Sequence, residues 1–138
     1  MKYTITTTVD APFDDVIAAV TTALEAEGFG ILADIDVKAT LREKLDVDVD
    51  QYRILGACNP ALAHQGLARE PALGALLPCN VIVYKTDEKI VVSAVDPQRL
   101  LELTENPQLA EISTDVHERF GRVITAVGEQ FSSEGASQ

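Results

Sequence analysis

Val81-Ile82-Val83-Tyr84, the polar Thr86-Asp87-Glu88, and then Ile90-Val91-Val92-Ser93-Ala94-Val95 form the stretch on which the fold turns. Two runs of β-branched and aromatic residues around a short polar turn predict a hairpin, with the second run doubling back beside the first. Immediately upstream, Pro78-Cys79-Asn80 leads into the first of these strands. Further back, Tyr52-Arg53-Ile54-Leu55-Gly56-Ala57-Cys58 reads as another strand that runs straight into Asn59-Pro60. Asn is a good helix cap and Pro a good first helical residue, so Ala61 to Arg69 is expected to be a short helix ending before Pro71. Downstream of the hairpin, Asp96-Pro97 repeats the cap-and-proline signal for a helical turn through Leu103.

The outer parts of the chain supply the rest. Tyr3 to Val9 alternates in β-forming residues and predicts a first strand. Asp10-Ala11-Pro12 is expected to cap a helix whose stripe is Phe13, Val16, Ile17, Val20 and Leu24, ended by Gly28. Phe29 to Ile35 predicts a second strand, and Asp36 to Leu45 a short helix capped by Asp36, with Lys38, Arg42 and Lys44 facing water. Near Pro107, with Asn106 as cap, begins a long helix carrying Leu109, Ile112, Val116, Phe120, Val123 and Val127 at steps of three and four. The expected architecture is α+β: an open, mainly antiparallel sheet of about five strands with two main helices on one face. Residues 1–131 are expected to form one domain, and 132–138 a polar, frayed tail.

Composition narrows the function classes. The chain has 138 residues, enough for one core, and its 46% hydrophobic and 24% charged residues are ordinary for a globular protein. A net charge of −11 repels polyanions, which argues against nucleic acid and anionic membrane as partners. No stretch approaches the ~20 apolar residues of a membrane helix. The opening residues lack the apolar core of a signal peptide, and two cysteines without such a signal point to thiols in the cytoplasm.

The segments from Tyr52 to His64 (YRILGACNPALAH) and from Leu76 to Val81 (LLPCNV) resemble the signature of the domain-of-unknown-function 302 family. The similarity extends over roughly Val9 to Thr104 and includes Asp96-Pro97. It implies an open antiparallel sheet with helices on one side, of the TATA-binding-protein-like type, and it implies homodimers. It names the fold and leaves the activity and any cofactor open.

The residues themselves mark one candidate site. Cys58 closes one strand and Cys79 opens another; if the two strands are antiparallel neighbours, their α-carbons are expected within about 7 Å, the upper range for bridging. Cys58 precedes a helix N-terminus, where amide donors and the helix dipole favour a thiolate. Asn59 and Asn80 would lie at the same sheet end, with His64 one helical turn past Pro60. The set Cys58, Asn59, His64, Cys79 and Asn80 suits a small-ligand pocket in a homodimer, the reading ranked first. A thiol redox enzyme or sensor using Cys58 and Cys79 is the alternative, and a structural protein with buried cysteines is another. His117, beside Val116, reads as structural. Metal is not expected: two cysteines and a histidine give at most three ligands, and Asp46, Asp48 and Asp50 lack the glycine and terminal glutamate of a calcium loop.

Overall fold

The computed structural model describes residues 2–136 and is an α+β domain built on one sheet of 5 strands. The strands are β1 (Thr4–Val9), β2 (Gly30–Asp36), β3 (Tyr52–Cys58), β4 (Cys79–Thr86) and β5 (Lys89–Val95), in the spatial order β1-β5-β4-β3-β2. Every neighbouring pair is antiparallel. The hairpin β4–β5 thus sits at the sheet centre, flanked by β1 and β3. The turn between its strands places Asp87 in the left-handed region at φ 49°.

The helices are α1 (Phe13–Ala26), α2 (Val37–Leu45), α3 (Pro60–Arg69), α4 (Pro97–Glu102) and α5 (Ala110–Ala136). In α1 the buried positions are Phe13, Val16, Ala19, Val20 and Leu24, with Ile17 partly covered. In α5 the whole predicted stripe is buried, from Leu109 in a 3₁₀ turn just ahead of the helix to Val127. The two stripes close over Cys79, Val81, Val83, Ile90, Val92 and Ala94, which alternate along β4 and β5 toward the same face. Phe29 and Phe120 meet in this core with ring centroids 4.8 Å apart.

Local capping explains most boundaries. Asn59 accepts from Leu62 N at 3.2 Å, Asp36 from Ala39 N at 2.9 Å, and Asp96 from Gln98 N at 3.0 Å. The exception is α1. Pro12 occupies the N-cap position with no side-chain cap bond, because the proline has already set the extended turn into the helix. Asp10, expected as that cap, instead accepts from Lys89 Nζ at 3.4 Å. The segment from Ser132, expected as a tail, continues α5 as far as Ala136, and residues 137–138 lie outside the described residues.

Candidate functional site

The site begins at the end of β3. Ala57 is the cross-strand partner of Cys79, while Cys58, one residue further along, pairs with Gly30 of β2. Beyond Cys58 the chain turns at Asn59 into α3, and the 3₁₀ turn Pro71–Leu76 brings it back to β4. Packing of α3, α4 and α5 against this end of the sheet leaves a narrow crevice of about 40 Å³. Cys58, Asn59 and Cys79 all line it. The rest of its wall is apolar, with Leu62 from α3, Leu101 from α4, and Ile112 and Val116 from α5 among the lining residues.

Both cysteines are free thiols, Cys79 buried and Cys58 half-buried. Burial, reinforced by the neighbouring Cys58, pushes the Cys79 thiol up to about 11 from its ordinary 9.0. Low dielectric disfavours a thiolate there, so Cys79 behaves as a small apolar wall residue. The Asn59 oxygen caps α3, and its amide nitrogen packs close over Gly28. Gly28 has φ +85°, and a Cβ built on it would come within 2.9 Å of Asn59 Nδ2. That position therefore needs glycine both for its backbone and for the close approach. Beside it, Arg119 donates through Nη1 to the Glu27 carbonyl at 2.7 Å and through Nε to Asp115 at 2.7 Å. The turn after α1 is thereby tied to α5 at the rim of the crevice.

The remaining predicted residues are not in this wall. His64 is exposed on α3, and Asn80 is exposed on the sheet face opposite Cys79, as alternation along β4 dictates. His117 makes a specific contact: its Nδ1 lies 2.9 Å from Asp96 Oδ1, joining the start of α4 to α5. Between α4 and the start of α5 runs a broad groove of about 660 Å³ that includes Asp96, Gln98, Arg99, Asn106 and Thr114. Leu101 lines this groove as well as the crevice. The sequence signal for α4 as a wall was its Asp96-Pro97 start alone, and nothing local marked Leu101, Ile112 or Val116 as more than core.

Among the described residues no helix is long and apolar enough to cross a membrane, and no group of three His, Cys, Asp or Glu side chains is placed to hold a metal ion.

Comparison with known proteins adds the family and leaves the chemistry open. No curated protein matches the chain. The crystal structure of the uncharacterized conserved protein DUF302 from Bacillus stearothermophilus superposes with a TM-score of 0.86 at 27% identity. The match covers 92% of this chain and 99% of that one. The model of the family described as domain of unknown function DUF302 matches residues 5–127, which take in the sheet, both main helices and the cysteine corner, and the chain therefore belongs to the DUF302 family.

Proposed function

We propose that this domain is a homodimeric small-ligand-binding module whose site is the crevice at Cys58 and Cys79. The observation that carries the reading is a nearly all-apolar hollow at the end of the sheet, with Asn59 as its polar rim. Ligand sites are typically apolar concavities with a few placed polar groups. Cys58 and Cys79 serve here as wall atoms. The burial that raises Cys79 to about 11 weighs against a redox couple that uses it as a thiolate. His64 and Asn80, both exposed, act in this reading only by flanking the corner.

The dimer part rests on the other face of the sheet. Thr6, Ser93, Ile82, Ile54 and Ile35 form one row across all the strands, and Thr8, Val91, Tyr84 and Tyr52 the next. The two tyrosine rings stack at 5.1 Å. None of the chain's 11 basic and 22 acidic residues stands in these rows. A second copy is the partner we assign to this surface.

Xenon and a short alcohol such as 1-butanol test the site. Apolar crevices accept such probes without specific bonds. The expected result is a saturable shift of the Leu62, Ile112 and Val116 methyl resonances, with a thermal midpoint that rises with 1-butanol concentration at low dose. Resonances that do not move, or that move equally over the whole core, refute the crevice as a binding site.

A further inference from the structure

A hollow of about 40 Å³ admits a water-sized body, whereas sites for small organic ligands run to several hundred cubic ångströms. Anything larger requires one wall to move, and the walls are unequal. α3 is a ten-residue helix, capped by Asn59 at one end and tied at the other by Asn106 Nδ2, which donates to the Arg69 carbonyl and to Glu70 Oε1. α4 spans six residues and ends near Glu105, a non-glycine residue held at φ 54°. Two side-chain bonds fasten its start to α5. One joins His117 Nδ1 and Asp96 Oδ1 at 2.9 Å, and in the other Gln98 Nε2 donates to Thr114 Oγ1 at 3.3 Å. One wall of the crevice and one wall of the groove of about 660 Å³ are both formed by α4, and Leu101 belongs to the two linings.

From this arrangement we infer that α4 is a gate to the Cys58–Cys79 crevice, latched by the Asp96–His117 and Gln98–Thr114 bonds. Swinging α4 outward lifts Leu101 away from Ile112 and Val116 and joins crevice and groove into one site of organic-ligand size. The left-handed Glu105 and the end of β5 are the two points where the chain flexes. The gate rests on the binding reading for its purpose, while its motion is measurable without any ligand.

The buried Cys79 reports the motion. The intact protein is treated with iodoacetamide, a small neutral alkylating agent, and initial rates at Cys79 and Cys58 are read separately by peptide mass spectrometry. When opening is fast, the Cys79 rate is the chemical rate multiplied by the open fraction. Removing either latch bond by His117→Ala or Thr114→Val is expected to raise the Cys79 rate about three- to tenfold, the size of one net hydrogen bond, with the Cys58 rate unchanged. The increase should persist with a shallow dependence on urea, because a local opening exposes little surface. Lys89→Ala, which releases Asp10 at the opposite end of the sheet, controls for general loosening. Unchanged Cys79 rates in both latch variants overturn the gate. So do rates that track global unfolding with its full urea dependence, or that rise equally in Lys89→Ala. If the latch variants open and xenon and 1-butanol still fail to bind, the gate stands and the binding reading falls.

Discussion

Cys79 makes the clearest case for how a single residue's environment decides its role. It sits opposite Ala57 on the helix-covered face, and its thiol rises to about 11 against 9.0 in an exposed setting. Below pH 9 the thiol is neutral in both the folded and unfolded chain and stability is unaffected. Between pH 9 and about 11 only the unfolded chain loses the proton, so the folded state weakens progressively as pH rises. The loss from this one group is expected to approach roughly 2 to 3 kcal/mol at the upper end. Urea melts of the native chain and Cys79→Ala from pH 8.5 to 11 measure it as a difference in slope against pH. Parallel curves would mean that the thiol is far less buried than the packing indicates. At this scale the sequence was readable where the physics was local. Asn59 followed by Pro60 announces its own cap, and that cap is present. The Asp10 cap failed because Pro12, two residues on, took the position itself. Arg119 gave no signal, since its partner at Glu27 lies far off in the chain and is a main-chain carbonyl.

At the scale of elements, α5 shows which information lies in periodicity. Its apolar residues at steps of three and four predicted one buried stripe, and Phe120, Val123 and Val127 are all but inaccessible. An aspartate at Val123 would place an unpaired carboxylate between α1, α5 and the sheet. Such substitutions cost several kcal/mol, and at least about 3 is expected here. Val116, at 8% exposure beside the crevice, should be the milder site for the same change, since a carboxylate there can lean toward the open side. Chemical denaturation of Val123→Asp and Val116→Asp checks both the size and the order, and an unchanged midpoint for Val123→Asp would remove α5 from the core. Periodicity did not foretell where the crevice lies. Its wall is assembled from the ends of β3 and β4 and from α3, α4 and α5, segments separated by up to half the chain, and the hollow is a property of how imperfectly they meet. The two cysteines were visible as strand ends flanked by Asn and Pro, whereas Leu101 looked like any leucine of a short helix. The β4–β5 hairpin was legible from two apolar runs around a polar turn, whereas its place between β1 and β3 depends on pairings between strands distant in the chain.

For the whole molecule, the decisive contrast is between a chain at −11 and a sheet face whose central rows hold no charge. Acidic side chains dominate the rest of the surface, so two copies approaching in arbitrary orientations repel each other. The rows through Ile54, Ile82, Tyr52 and Tyr84 are the region where that repulsion is least and where apolar contact is available. A dimer formed there should have a distinctive salt response. Screening reduces the repulsion between two like-charged bodies while leaving apolar burial intact, so raising sodium chloride from low to near-molar concentration should tighten the dimer. An interface held by ion pairs would do the opposite. Ile82→Lys places a charge at the centre of the row and, across the symmetric interface, opposes it with uncharged neighbours of the second copy. It should convert the dimer to a monomer at micromolar concentration without lowering the thermal midpoint of the isolated fold by much, because Ile82 is only partly covered within one chain. Multi-angle light scattering on the native chain and Ile82→Lys, each at low and high salt, makes the measurement. A native chain that is monomeric at micromolar concentration in all conditions would leave this face without the partner assigned to it. A dimer that survives Ile82→Lys would move the interface to another surface, and the exposed Leu32, Leu45 and Val47 around β2 and α2 would be the next place to look.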